Sequence, residues 1–339
     1  MQIDLSIIIP AYNCQNTIEK TVESVLKTKN LKYEIIIIND ASTDNTPNII
    51  KKYELMDNIK VINLDENHGV SYSRNLGIES AKGIYVAFLD SDDFVEEKMY
   101  ERLFSISKKN DLDVCICGHF IVNDKTGVKQ YSKYNTYGFF NSEDAVKLLL
   151  LDKISPAPCD KIFKRNRLKR FNTELKVGED FLFCLENFFY SNKIKIIKDN
   201  YYNYVQNEKS TMHKFNKNLE QICYVDKYIP SNIQLYLEKK CRKEFEFFKL
   251  RNITRYVNSI SNIVNKDNKH EIKEKIKEYL PRKKMLKIIR LRNLNKLIKV
   301  EIIIMFIFGI NFHLLMMPIY KKIKENFMKA KNENLSLRS

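Results

Sequence analysis

The segment Tyr85-Val86-Ala87-Phe88-Leu89-Asp90-Ser91-Asp92-Asp93 constrains the fold of this chain more than any other, because an unbroken apolar run stops in three carboxylates within four positions. A run of this length, rich in aromatic and branched residues, reads as a strand inside a mostly parallel sheet covered on both faces. The acids then sit at the strand's carboxyl end, the edge of an open α/β sheet where ligands bind. Two ionised carboxylates about 5 Å apart repel by roughly 3 kcal/mol at an effective dielectric near 20. A hard divalent cation with oxygen ligands, Mn²⁺ or Mg²⁺, itself carrying phosphates, would resolve that repulsion. The plainer alternative is a turn in which Ser91 or Asp93 caps a helix starting near Glu96.

The flanking sequence repeats one pattern. Leu5 to Pro10 is a first strand, and the helix after Asn16 carries Ile18, Val22, Val25 and Leu26 at helical spacing. Tyr33 to Ile38 is a second strand, ending in Asn39-Asp40. Thr46 is the expected cap of the next helix, with Pro47 at its first position, where a missing N–H costs nothing. Ile59 to Asn63 is a third strand, His68-Gly69 a turn, and Ser71 to Ala81 a helix closed by Gly83. Four strand–helix units in roughly 100 residues predict a nucleotide-binding α/β sheet of the doubly wound type. Neither the dinucleotide glycine pattern nor the Walker phosphate loop is present. Beyond the acids, Met99 to Lys108 reads as a helix, Asp113 to Val122 as a strand entering a hairpin at Gly127, and Asn141 to Leu151 as a helix behind an Asn/Ser cap. After the Pro156-Ala157-Pro158 break, Gly178-Glu179-Asp180-Phe181 puts two acids on the first turn of an aromatic-rich helix, where the helix dipole favours anions.

From about Asn216 strands give way to long helical patterns, including Leu235 to Val264. The formal charge of +16 is concentrated here: Arg282, Lys283, Lys284, Lys287, Arg290, Arg292, Lys296 and Lys299 occur between Pro281 and Val300 without an acid. Next come the apolar stretches Ile302 to Ile310 and Leu314 to Tyr320, broken by Asn311, His313 and Pro318. They fall short of the about 20 apolar residues that a span needs. A basic run ahead of such a stretch predicts an in-plane or shallow anchor on an anionic membrane surface, with a buried terminal helix or a true span as the alternatives. The basic residues show no aromatic interleaving, which argues against nucleic acid as a partner. Seven scattered cysteines without a CxxC pair read as reduced core thiols. Met1-Gln2-Ile3-Asp4 runs straight into a strand, so no secretory leader is expected, and the location expected is cytoplasmic, peripheral on the inner face of the plasma membrane.

Five motifs occur in order: Pro10-Ala11-Tyr12-Asn13, Asn39-Asp40-Ala41-Ser42-Thr43-Asp44, Asn67-His68-Gly69-Val70-Ser71-Tyr72-Ser73-Arg74-Asn75, Phe88-Leu89-Asp90-Ser91-Asp92-Asp93 and Gly178-Glu179-Asp180. Together they make residues 3 to 215 resemble the inverting nucleotide-sugar glycosyltransferases of family 2, of the kind that builds bacterial capsule, lipopolysaccharide and teichoic acid. The resemblance implies a GT-A fold, a Rossmann-like and mostly parallel sheet, over residues 1–215. A helical C-terminal region with a basic, apolar tail would occupy residues 216–339.

The resemblance also implies roles. Pro10, Tyr12 and Asn13 would shape a uracil pocket, Asp40 would accept a hydrogen bond from the uracil ring N–H, and Gly69 would let the backbone approach the nucleotide. Arg74 would contact the nucleotide or order the acids. Asp90 and Ser91 would face the ribose side, Asp92 with Asp90 would hold the metal on the diphosphate, and Asp93 would cap or support. Asp180 is the implied base, with Glu179 as runner-up. Asn39 and Ala41 depart from the family's Asp-Asp-Gly-Ser, and Val205 stands where an Arg often follows Tyr-x-Tyr. Lys209 or His213 could replace that donor, and Lys161 falls where relatives form an acceptor wall. The implied activity is metal-assisted, inverting transfer of a hexose or N-acetylhexosamine from a UDP-sugar to a glycan or lipid-linked acceptor. A nucleotidyltransferase or an inactive nucleotide-binding scaffold on the same fold is the alternative. A processive synthase normally carries a tryptophan acceptor motif, and this chain has no tryptophan. The C-terminal third could also pair with another copy.

Overall fold

Isoleucine-rich runs too apolar for any exposed position become the centre of one sheet. The computed structural model describes residues 2–132, 136–206, 217–261, 268–290, 296–311 and 314. In chain order the elements are β1 (Leu5–Ala11), α1 (Ile18–Leu26), β2 (Tyr33–Asn39), α2 (Thr46–Lys51), β3 (Ile59–Asn63), α3 (Val70–Ser80), β4 (Tyr85–Phe88), β5 (Phe94–Val95), α4 (Met99–Asn110) and β6 (Val114–Asn123). They continue as β7 (Lys129–Ser132), β8 (Gly138–Phe140), α5 (Ser142–Leu150), β9 (Lys161–Lys164), α6 (Glu179–Phe189) and β10 (Ile194–Gln206), followed by helices α7 (Ser231–Lys240), α8 (Arg242–Ser261), α9 (Lys269–Tyr279), α10 (Arg282–Ile289) and α11 (Lys296–Phe308).

The sheet order is β3-β2-β1-β4-β9-β6-β10-β5, with β7 on β6 and β8 on β10. The first four strands pair in parallel, Ile7 opposite Ile35 on one side and Ala87 on the other. Every residue of β1 and β4 is buried, as a strand covered on both faces requires. The chain runs outward from β1 to β3 and returns across it to β4, which makes the carboxyl ends of β1 and β4 the switch point of the sheet. β9 inserts antiparallel between β4 and β6. The hairpin expected at Gly127 is formed by β6 and β7.

Three local expectations change. Thr46 is the first residue of α2 rather than its cap. Its hydroxyl accepts the Cys14 N–H at 2.9 Å, while the Asp44 carboxylate accepts the Thr46 N–H at 2.9 Å. Gly83 does not close α3 in a left-handed turn. It allows close approach to β1, since a Cβ there would lie 2.5 Å from the Ser6 nitrogen. The helical pattern from Leu235 to Val264 divides at Cys241, whose backbone leaves the helical region.

The described residues form two compact units, Met1–Lys214 with Lys227–Cys241, and Phe215–Asp226 with Arg242–Ser339. α7 is fastened within the first by Tyr236, whose hydroxyl donates to Glu143 at 3.1 Å and whose ring meets Phe189 edge-on. The second has its own core, in which Leu250, Tyr256 and Val257 of α8 meet Ile272 and Ile276 of α9, Met285 and Ile288 of α10, and Ile302 and Met305 of α11. Part of the terminal apolar stretch is therefore core. None of the seven cysteines is paired in a disulfide, and six are buried.

Candidate functional site

A cavity of about 550 Å³ opens where β1 to β4 end, lined by Pro10 to Cys14, Asn16, Thr17, Asp40, Asn67, Gly69, Val70, Ser73 and Asp90 to Asp92. Tyr12 stands half exposed at its wall. Asn13 adopts φ +49°, and its side-chain carbonyl accepts the Thr43 N–H at 2.8 Å, while its own N–H donates to Ser42 Oγ at 3.0 Å. These bonds fasten the loop after β1 to the loop after β2. Asp40 is buried, and its two carboxylate oxygens accept the backbone N–H groups of His68 and Gly69, each at 2.8 Å. Gly69 has φ +88°, which a side chain would resist, and this lets its N–H reach Asp40. Each carboxylate oxygen retains a lone pair for a further donor.

Asn39, neutral where the resemblance implies an acid, bonds through its amide to Asn63 at 2.8 Å. Ala41 is held at φ +55°, a left-handed conformation that costs an L-residue roughly 1–2 kcal/mol. Part of that is offset by the greater unfolded-state freedom of glycine. Ala41→Gly should therefore stabilise the fold by about 0.5–1 kcal/mol in urea unfolding.

The acids are organised from behind by Arg74. Its side chain is 3% exposed, donating from Nη1 to Asp180 at 2.7 Å and from Nη2 to Asp90 at 2.8 Å, with the guanidinium 5.0 Å from the centre of the Phe171 ring. Burial opposes its charge, but Asp180 and Asp90 hold it firmly protonated. Arg74 thus bridges the two acids, and neither it nor Asp180 is among the residues that line the cavity. Asp90 faces the cavity and shares this arginine with Asp180, 90 positions later, on the first turn of α6. Burial pushes the Asp180 carboxyl above its ordinary range even against the pull of Arg74. Burial and the neighbouring Asp180 push Glu179 up to about 8.

Asp93 caps no helix; α4 starts at Met99, and Asp93 turns inward, accepting the Val205 N–H at 2.7 Å and the Tyr202 hydroxyl. It thereby ties the acid loop to β10. Burial, then Asp90 and Asp92, push its carboxyl up to about 8. The stability that this retained proton contributes is full below an unfolded value near 3.8 and is lost as pH rises through about 8. With metal chelated, Asp93→Asn is expected to melt above the wild type at pH 8–9 and level with it near pH 4. Equal melting temperatures at both ends of that pH range would refute the assignment.

Partial burial against the cavity wall and the charge of Asp90 push Asp92 up to about 6. Such crowding of carboxylates suits a divalent cation. Among the described residues no group of three or more His, Cys, Asp or Glu side chains forms a complete metal cage. A cation here would draw most of its ligands from phosphate and water, in the manner of Mg²⁺.

His213 and Lys209 lie outside the described residues. Lys161 does not face an acceptor: it is fully buried, with Nζ donating to the carbonyls of Ser155 and Ala157 at 2.9 and 2.6 Å and paired with Asp160. Sequence reasoning missed Asn67, Ser73, Cys14 and Lys176. Asn67 donates to the Asp40 carbonyl at 3.1 Å, and Lys176 Nζ lies 3.2 Å from where a Cβ on Gly69 would stand. Asn67, Ser73 and Cys14 occupy the quoted motifs or follow a strand end; Lys176 shows no signal short of the fold.

The family described as Glycosyl transferase family 2 matches residues 6–171. EpsH of Bacillus subtilis (strain 168), named as a glycosyltransferase, is 30% identical over 223 residues, 63% of this chain and 64% of that one. The poly(ribitol-phosphate) beta-N-acetylglucosaminyltransferase TarP of Staphylococcus aureus (strain N315) is 34% identical over 213 residues, 59% of this chain and 62% of TarP. The chain thus spans less than two thirds of these relatives. The crystal structure of S. aureus TarS 1-349 in complex with UDP-GlcNAc superposes with a TM-score of 0.66 at 20% identity, covering 94% of this chain and 92% of that one. The mostly parallel sheet is therefore the GT-A fold, as the motifs implied.

Proposed function

Because residues 6–171 of this chain match glycosyl transferase family 2, we propose that the protein transfers a hexose or N-acetylhexosamine from a UDP-sugar to a glycan or lipid-linked acceptor, with inversion. The observation that carries this reading is the cavity at the ends of four parallel strands, walled by Tyr12, Asp40, Asp90 and Asp92 and joined through Arg74 to Asp180. The UDP-GlcNAc bound in TarS supports the donor class. The names of TarP and TarS support an acceptor in surface-polymer synthesis.

In this reading the face of Tyr12 carries the uracil, and the free lone pairs of Asp40 accept its ring N–H, a charge-assisted bond that cytosine cannot make. Asp90 and Ser91 meet the ribose side. Mn²⁺ or Mg²⁺, held by Asp92 and Asp90, would offset the charge that develops on the departing diphosphate. Asp180 takes the proton of the acceptor hydroxyl as its oxygen attacks the anomeric carbon on the face opposite UDP. The bond to the diphosphate oxygen breaks as the new glycosidic bond forms, so the configuration inverts in one displacement. Arg74 keeps the Asp180 carboxylate turned toward that task. The protein would work at the inner face of the plasma membrane. The longest apolar helix described, α11, is 13 residues, and no described helix is long and apolar enough to span.

A thermal-shift panel with UDP, GDP, CDP and several UDP-sugars, each with Mn²⁺ or with EDTA, tests the reading. Ligand at 100 times its Kd stabilises by about 2.7 kcal/mol. A metal-dependent shift with UDP and a UDP-sugar, not with GDP or CDP, is expected. Asp92→Ala should weaken UDP at least about 10-fold and abolish the effect of EDTA. No shift with any nucleotide would reduce the acids to a structural cluster.

A further inference from the structure

α10 is amphipathic in an unusual sense. Met285 and Ile288 enter the core of the second unit, and the opposite side, at spacing i, i+3, i+4, i+7, presents Lys283, Leu286, Lys287 and Arg290 to solvent. Arg282 to Arg290 contains five basic residues and no acid. Lys287 pairs with Glu246 at 3.1 Å, with both side chains about half exposed, whereas Lys283 and Arg290 make no ion pair among the described residues. α11 packs beside α10, with the Arg282 guanidinium 5.6 Å from the centre of the Phe306 ring. Ile302 and Met305 of α11 are buried, while Val300, Ile307 and Phe308 are 47%, 60% and 61% exposed. A helix that is apolar on its outward side as well as its inward side calls for a second apolar environment.

We propose that the outward faces of α10 and α11 form a docking surface for an anionic lipid bilayer. Ile307 and Phe308 enter the acyl boundary, and Lys283, Lys287 and Arg290 meet the phosphates. The charge decides between a bilayer and a second copy of this chain. An isologous pairing would set the basic α10 faces against one another, whereas anionic headgroups complement them. At 13 residues α11 is about 20 Å long, enough to lie in the interface and too short for a hydrocarbon core about 30 Å thick. The inference rests on the peripheral placement proposed above but not on the chemistry of the donor cavity.

The test is flotation of the full chain with vesicles of phosphatidylcholine alone or with about 30 mol% phosphatidylglycerol. Binding is expected only to the anionic vesicles and is lost near 1 M NaCl, where the Debye length falls to about 3 Å. K283E/R290E should lower the partition coefficient by about 25-fold or more, from roughly 5-fold per basic residue removed. I307S/F308S should lower it while leaving the thermal midpoint of the free protein in place. Absence of wild-type flotation, or flotation untouched by both double variants, would overturn the proposal. So would a dimer in light scattering that I307S/F308S dissociates, since that assigns the face to a second copy. UDP binding, read separately by thermal shift, tells a failed membrane surface from a failed sugar-transfer reading.

Discussion

Asp180→Asn is expected to lower the rate of sugar transfer by about 10²–10⁴-fold, the range associated with loss of a positioned general base. The substitution is nearly isosteric, and its side-chain carbonyl can still accept the Arg74 Nη1 hydrogen bond that Asp180 accepts at 2.7 Å. The fold and the affinity for UDP should therefore stay close to wild type. The pH profile separates the two candidate bases. Transfer requires an ionised carboxylate, so a base with a raised pKa loses activity as pH falls through that value. Asp180 is pushed above the ordinary carboxylate range by burial. Glu179 is pushed up to about 8. If Asp180 is the base, Glu179→Gln retains an acid limb and Asp180→Asn has none. Full transfer in Asp180→Asn, with an acid limb near pH 8 that Glu179→Gln removes, would hand the role to Glu179.

Arg74→Ala should cost about 3 kcal/mol of stability and abolish transfer. Removing one member of a buried ion pair costs about 3–5 kcal/mol, because its partners are left charged and unpaired. The lower end applies here, since the side chains of Asp90 and Asp180 keep 35% and 30% of their exposure. For a domain of about 200 residues that loss lowers the melting temperature by about 6–12 °C. The deficit should shrink as pH falls, because Asp180, whose carboxyl is raised by burial, takes up a proton and loses its uncompensated charge. Arg74→Lys should recover part of the stability and little activity, as one ammonium does not reproduce a fork that reaches two carboxylates. A melting temperature unchanged in Arg74→Ala would mean that the bridge contributes nothing.

Much of this was legible in the chain before any coordinates. The four apolar runs, the order of the first four units, the placement of Asp40 and Asp90 to Asp92 just past strand ends, and Glu179-Asp180 on the first turn of a helix follow from local periodicity. Other features were not legible. β9 carries a lysine at each end, and its Lys161 reads as a surface residue until Ser155, Ala157 and Asp160 fold around its ammonium. The antiparallel insertion of β9 beside β4 depends on pairing with Val114 to Ile116, a contact no local pattern encodes. Asp93 looked like a cap because caps are local, yet its bonds reach Tyr202 and Val205, more than 100 residues away.

By itself, then, the sequence determined which segments are strands buried on both faces and which carboxylates their ends present. Side-chain period and apolar content within about ten residues are sufficient for that. Only the tertiary structure decided which cation balances those carboxylates. Arg74 could have faced the cavity; instead, packing against Phe171 withdraws it and spends its fork on Asp90 and Asp180. Charge compensation in a buried site is settled by distances between residues far apart in the chain, and those distances exist only once the sheet has closed.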